Sequence, residues 1–494
     1  MKNLFLPLIA LLTSLAAAAT DITTGNAGQL ATMLGNNAAT TTSLSVSGPV
    51  NASDLHFIAS LPALSTLDLS RAKIVEEANA RLATNTRTYQ ADHLPPYILA
   101  GGKFSTIKLP DGLVEIGDGA LMSTSITSIA IPASVKRIGN GALADCRSLS
   151  SLTVPSTVTT LGSHLCDGAT ALKSVTFNAS YIPAYAFRGC VALSGFEGSP
   201  VTIGDYAFAG CTALKSFPFP AGLSAAGTGA FYNSGLNAAD LGSCRHLDTL
   251  GDYAFAGCEE LVSVRLPEGL ESIGEGAFFA DRSLRALNIP TTVTTLDDFS
   301  LKGTGSLDSS TGLLSDGVST IGRYALAGME SLKSVMIPAG LVSIDDYGMA
   351  GMTSLESIDA RRPREVPETG ARVWDGIDPS KVTLYVDPSM ENSFLAAEQW
   401  NDFSIVTSGM ESVEADSGSG APSVNLSIDG TDLVITSSSS IDAVAVYDIS
   451  GRRLAEACGH GKTSLDISLS GITPQVLIVT VTADSHMVSF KIAK

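Results

Sequence analysis

From about residue 61 to residue 406 the chain repeats one short arrangement of apolar and polar positions. Each copy opens as L-x-x-Φ-x-Φ, with Φ apolar, as in Leu172-KS-Val175-T-Phe177, Leu261-VS-Val264-R-Leu266 and Leu332-KS-Val335-M-Ile337. The last two apolar residues flank a polar one, the alternation of a strand buried on one side. Pro155, Pro267, Pro290 and Pro338 then close the strand, because proline has no N–H to give a ladder. A second piece, Val/Leu-x-x-Ile-Gly, follows, as in Val135-KR-Ile138-Gly139 and Leu270-ES-Ile273-Gly274. The third piece is Ala/Phe-rich, such as DYAFAGC, and suits a single helical or 3₁₀ turn. None of the three can bury its apolar side alone; stacked on copies of itself, each can.

The period is set by an internal identity. GDYAFAGC occurs at residues 204–211 and again at 251–258. The first alanine of that motif recurs at Ala120, Ala142, Ala186, Ala207, Ala230, Ala254, Ala277 and Ala325, with Leu165, Ser300 and Gly348 in degenerate copies, at steps of 21 to 25 residues. A period near 23 lies in the range of leucine-rich repeats and is too short for ankyrin, TPR or propeller units. The LxxLxL strand and the IG-x-x-AF-x-x-C-x-x-L turn together resemble the BspA-like leucine-rich-repeat surface proteins of Gram-negative anaerobes. Asn51–Val75 resembles the family's opening repeat, and Val382-TLYVDPS with Trp400-NDFSI-Val406 its closing segment. The resemblance implies an exported cell-surface solenoid that acts as an adhesin or recognition protein and not as an enzyme.

The flanks divide the chain further. Residues 1–19 carry Lys2, an apolar run from Leu4 to Leu15 and Ala17-Ala18-Ala19, the layout of a secretory signal cleaved after about Ala19. A retained anchor is the rival reading, but the apolar run is short against the ~20 residues of a bilayer span. Residues 20–60 are expected to cap the first coil, and Glu76–Leu99 to form an inserted loop. Residues 407–422 read as a Ser/Gly/acidic linker. From 423 to 494, alternating apolar and polar positions with turn signals at Asp429-Gly430 and Ser450-Gly451 predict a small antiparallel β-sandwich. The expected fold is thus an α/β leucine-rich-repeat solenoid of short strands and short helical turns, followed by an all-β domain. That domain resembles the C-terminal sorting domains of the type IX secretion route, through Val446-YDISGRR-Leu454 and Lys491-IA-Lys494. Leu477 stands where that family has tyrosine.

Composition narrows the partners. A net charge of −19 excludes nucleic acid as an expected ligand, because phosphate binding needs clustered Lys and Arg. No segment beyond the signal is apolar for long enough to span a membrane as a helix. Of seven cysteines, Cys146, Cys190, Cys211 and Cys258 share one repeat slot and read as buried apolar fillers. Cys190 and Cys211 lie in consecutive coils and could be bonded. No CxxC occurs, so no zinc site is expected, and no cofactor either.

Candidate chemistry is sparse. There is no HExxH, no GxSxG and no Walker loop. Gly117-D-Gly119, Gly139-N-Gly141 and Gly274-E-Gly276 recur at the repeat period and read as turn glycines. Asp118, Asp205, Asp252, Glu275, Asp297, Asp298, Asp345 and Asp346 form a column that could bridge calcium or stand as a solvated acidic edge. One candidate binding feature remains. Lys108, Lys173, Lys215, Arg265, Arg285 and Lys333 occupy x positions of L-x-x-Φ-x-Φ, on the face expected to be concave, beside a serine slot. Such cations could receive an acidic glycan or an acidic protein patch, or could serve solubility alone. The expected function is binding of host or bacterial surface proteins or glycans. Glycan capture for a nutrient system is an alternative that paired aromatics would favour, with only Trp374 and Trp400 at hand. A structural surface-layer component is the other, and a hydrolase the last.

Overall fold

A computed structural model describes residues 18–80, 87–307, 313–407, 424–429, 432–448, 452–469, 476–484 and 486–493. The proposed signal segment therefore lies outside the described residues except for Ala18 and Ala19, which begin the first strand, Ala18–Thr23. Nearly all of the 407–422 linker lies outside them too.

The repeats stack as coils joined by two columns of parallel strands. The L-x-x-Φ-x-Φ pieces form the first column, for example Ser151–Val154, Ser174–Phe177 and Gly195–Gly198, paired so that Leu152, Val175 and Phe196 fall in one row. The Ile-Gly pieces form the second column. Nine of its two-residue strands, from Tyr181–Ile182 to Glu368–Thr369, make one continuous sheet. In both columns the apolar members point inward: Val175, Phe177, Ile182 and Ile203 are all buried. One uninterrupted core results, running from Ile22 to Phe403.

The Ala/Phe-rich piece, expected as a helical or 3₁₀ turn, keeps the i→i−3 bonds of such a turn but does not form a helix. Its N–H groups alternate in use. Ala186, Arg188 and Cys190 donate to the carbonyls of Pro183, Tyr185 and Phe187 within their own coil, at 3.3, 3.3 and 3.1 Å. Tyr185, Phe187 and Gly189 instead donate to Asp205, Ala207 and Ala209 of the next coil, at 2.8, 2.9 and 2.8 Å. A helix would direct every donor along its own axis. Here two left-handed residues per coil, Tyr185 (φ 59°) and Gly189 (φ 69°) in this copy, turn every second donor outward. The segment is a third ladder between coils, and it seats the core aromatics. Phe187, Phe208, Phe231, Phe255 and Phe278 stack in sequence at 5.4, 5.3, 5.4 and 5.7 Å between centroids.

At the N-terminal end, Ala18–Thr23 lies along the strand Thr41–Val50, which begins the first column. The helix Ala52–Ala59 follows, with Asn51 as its N-cap in a capping box with Asp54. The buried Asp54 carboxylate also accepts the N–H groups of Gly28 and Leu30, at 2.6 and 3.0 Å, tying residues 20–60 together. The insertion at 76–99 is more ordered than a loop. Glu77–Ala80 and Arg87–Tyr89 pair as an antiparallel hairpin, and His93–Leu94 rejoins the second column.

The C-terminal region is a separate unit with its own core. Val424–Asp429, Asp432–Ser437 and Ser464–Ser468 form one antiparallel sheet. Arg453–Cys458, Ile441–Asp448, Val476–Ala483 and His486–Ala493 form the other. Leu433, Ile435 and Ile467 of the first meet Val444, Val446, Leu477, Val479 and Val481 of the second in one apolar cluster. No helix among the described residues is long and apolar enough to cross a membrane.

Candidate functional site

All six cations of the expected stripe are exposed. They occupy two different positions. Lys173, Arg285 and Lys333 precede their strands, Lys215 takes the same place in a coil whose 216–219 segment forms no strand, and Lys108 and Arg265 sit on strands, between two buried neighbours. Cross-coil register shows what surrounds them. Lys108 pairs with Asp68 in the ladder and its ammonium lies 2.8 Å from that carboxylate, while Arg265 stands between Asp240 and Asn288. Glu197 and Asp359 hold the same position elsewhere in the column, which is made of several short sheets. Lys215 reaches Glu260 at 2.6 Å and Lys333 reaches Glu356 at 3.5 Å. The outer face of the first sheet is therefore a mixed-charge surface, with Lys173, Arg265 and Arg285 as the stripe members outside any ion pair among the described residues. Lys108 also holds Asp68 down to a pKa of about 2, together with Ser70 and against the opposing effect of burial.

The acidic column has a backbone role. The Oδ1 atoms of Asp118, Asp205, Asp252, Asp298 and Asp346 accept the N–H of the residue one coil further on: Asn140, Thr228, Glu275, Arg323 and Ala371, at 2.7 to 2.9 Å. These carboxylates complete a ladder, and no group of three or more His, Cys, Asp or Glu side chains is placed to hold a metal ion among the described residues.

The cysteine slot is likewise internal. Cys190 and Cys211 are free thiols, not a disulfide; each sulfur donates 3.2 Å to a carbonyl of the preceding coil, Cys166 and Phe187 respectively. Burial pushes the Cys190 and Cys258 thiols up to about 12. Asp281 takes the same slot and is fully buried. Its Oδ1 accepts the N–H of Cys258 at 2.7 Å, its Oδ2 has no partner, and desolvation raises its pKa well above the usual carboxylate value. Trp374 and Trp400 do not line a pocket. They pack edge to face at 5.2 Å inside the core, and Trp400 Nε1 donates to the Pro367 carbonyl at 3.0 Å.

A feature that sequence reasoning passed over runs along the turn edge. The residue before each marker alanine is left-handed in every coil, and it is either glycine or a large side chain. The rings stack between coils: His164 on Tyr185 at 4.6 Å, Tyr185 on Tyr206 at 5.4 Å, then Phe299 on Tyr324 at 5.4 Å and Tyr324 on Tyr347 at 4.7 Å. Lys302 lies over Phe299 and Tyr324, and Arg188 over Tyr185 at 4.9 Å. Arg188 also holds Asp167 through two nitrogens, at 3.0 and 2.5 Å, and His164 Nδ1 lies 2.8 Å from the same carboxylate. The recurrence of Tyr or Gly one place before the marker alanine was the available signal.

The comparisons agree with this architecture. The family described as BspA type leucine rich repeat region matches in six copies, over residues 90–194, 181–308 and 306–373, more than half of the chain. A domain of unknown function matches residues 415–494. A comparison with curated proteins found no match. Among solved structures, a leucine-rich repeat protein from Bacteroides ovatus is similar at 20% identity and a TM-score of 0.50, over 73% of this chain and 88% of that one. A leucine rich cell surface protein from Faecalibacterium prausnitzii matches at 18% identity and a TM-score of 0.31, over 62% and 88%. The pneumococcal vaccine antigen PcpA matches at 16% and 0.30, over 75% and 80%. The first of these shows the shared fold, and the repeat matches carry the assignment: this chain belongs to the BspA-type leucine-rich-repeat family.

Proposed function

We propose that this chain is an exported, non-enzymatic binding protein of a Gram-negative bacterial surface, engaging host or bacterial surface proteins or glycans through the exterior of its solenoid. The observation that carries this reading is the outer face of the first sheet. Inward slots stay apolar from coil to coil (Leu67, Ile107, Leu152, Val175, Phe196, Val264), whereas the outward slot changes in charge and chemistry through Asp68, Lys108, Thr153, Thr176, Glu197, Asp240, Arg265 and Asn288. Packing explains the first pattern; the second is only partly taken up by local bonds such as Lys108 to Asp68 and Gly242 N–H to Asp240. A row of exposed, chemically varied side chains on a rigid frame offers many weak contacts to a large partner. Residues 1–19 and the C-terminal sandwich, with its likeness to secretion sorting domains, support export and surface retention.

The test uses the full-length mature protein on arrays of extracellular matrix proteins, bacterial surface proteins and glycans. Reversing the three unpaired cations together (Lys173→Glu, Arg265→Glu, Arg285→Glu) should weaken capture of a protein partner by about tenfold or more, since each is exposed and contributes through charge complementarity. Absence of any bound protein or glycan on the arrays would retire the reading.

A further inference from the structure

The turn-edge column lacks one ring. Where glycine replaces an aromatic residue in this column, the ring of the preceding coil lies over it: Tyr97 over Gly119, Tyr206 over Gly229 and Tyr253 over Gly276, each with a ring carbon 2.3 to 2.5 Å from where a Cβ would stand. Gly141 differs. The coil before it carries Gly119 and so sends no ring, and a Cβ at Gly141 would meet only Ala144 Cβ, at 3.6 Å. The next ring in the column is His164, stacked away on Tyr185. An open cavity of about 410 Å³ sits at this break, lined among others by Tyr97, Gly141, Asp145, His164, Asp167 and Arg188. That volume is in the range of sites for small ligands, ~300–1,000 Å³.

We propose that this break is a saccharide-binding site that takes one ring of a neutral glycan. The inference rests on the surface-binding reading above and gives it a second, distinct locus. Coils repeat at ~4.8 Å, so a flat ring inserted over Gly141 would continue the column between the exposed Tyr97 and His164. Aromatic rings receive the apolar C–H face of a sugar, and carboxylates and guanidinium groups receive its hydroxyls. The polar rim supplies both. Asp167 is held by His164 and Arg188, and Asp145 by Arg147 at 3.1 Å, so donors and acceptors are oriented in advance. Those pairings balance the charge of the rim, which favours a neutral sugar over an acidic one and over a cationic side chain of a protein partner.

The column itself provides the test. Left-handed tyrosine is already tolerated at this position two coils away on either side, at Tyr97 and Tyr185, and space is open for a Cβ, so Gly141→Tyr should fill the break without unfolding the coil. The full-length mature chain, Gly141→Tyr and Tyr97→Ala would be compared on an array of neutral and acidic oligosaccharides, then by saturation-transfer NMR with the neutral oligosaccharide bound best. Expected are loss of that binding in Gly141→Tyr, a drop of about tenfold in Tyr97→Ala, and retained binding in the triple cation-reversal variant. Unchanged saccharide binding in Gly141→Tyr overturns the proposal. So does a preference for acidic saccharides, or a protein partner, with no saccharide, that Gly141→Tyr excludes. If no neutral saccharide binds while a protein binds the sheet face, the site falls and the surface reading stands.

Discussion

Gly139 has no side chain because Asp118 of the preceding coil occupies that space. A Cβ on Gly139 would stand 2.3 Å from Asp118 Oδ1 and 2.5 Å from its backbone nitrogen. The same carboxylate oxygen accepts the N–H of Asn140 at 2.7 Å. The Ile-Gly-Asp signature is therefore one contact seen from both sides: aspartate in one coil closes the ladder only if the next coil brings bare backbone against it.

Gly139→Ala should accordingly destabilise its coil by about 1–3 kcal/mol, the usual cost of overpacking. Its φ is not in the left-handed region, so the effect isolates space from backbone strain. Gly112→Ala, with nothing within 4 Å of the added atom, should be close to neutral. Urea unfolding of both variants, followed by hydrogen exchange at residues 113–165, checks the difference.

Phe231 is fully buried and stacks on Phe208 and Phe255 at 5.3 and 5.4 Å. Phe231→Ala should cost ~3–5 kcal/mol. Because each coil touches mainly its neighbours, the loss should be local. Exchange protection is expected to fall across the coils from Phe208 to Phe278 and to stay unchanged near Leu384.

Asp281 makes stability depend on pH in the direction opposite to a surface carboxylate. Its folded pKa is raised, so its contribution is intact below the unfolded value near 4 and is lost as pH rises toward and through the folded value. Each pH unit in that window costs up to ~1.4 kcal/mol. Replacing it with the residue other coils use, Asp281→Cys, removes one accepted bond, but the Cys258 N–H also reaches the Phe255 carbonyl at 3.1 Å. The variant should be more stable than the parent at pH 8, with the gain shrinking toward pH 4. Melting curves of both proteins across that range decide it; equal pH slopes would refute the account.

Thiol labelling offers a third check on the core. Cys458 is exposed and six others are buried, so a thiol-specific reagent should modify one cysteine quickly under native conditions and the remainder only on unfolding. Mild oxidant should not link Cys190 to Cys211, whose sulfurs are already engaged with carbonyls.

The period, the first strand column and the sandwich could be read from residue order because they depend on apolar spacing, which is local; that the Ile-Gly piece is a second ladder could not. What could not be read depended on the coil alongside. Tyr185 and Tyr206 are left-handed, a conformation that side chains of this size rarely take, so nothing in their identity announced a turn ladder. The cations at Lys108 and Lys215 looked like one stripe until their cross-coil neighbours Asp68 and Glu260 were in place. Asp118 and its equivalents read as a solvated acidic edge or a calcium bridge; their partners are backbone amides, which every residue but proline carries and no composition reveals.

The alternation of donors in the Ala/Phe-rich segment has a consequence for ancestry. Because every second amide is satisfied only by the following unit, and in the same manner at each junction, the joint between units is indifferent to which units meet there. Recombination between near-identical stretches such as residues 204–211 and 251–258 could then insert or delete whole units and leave a well-formed seam. Length in such a molecule is a heritable variable, adjusted without redesigning its interior.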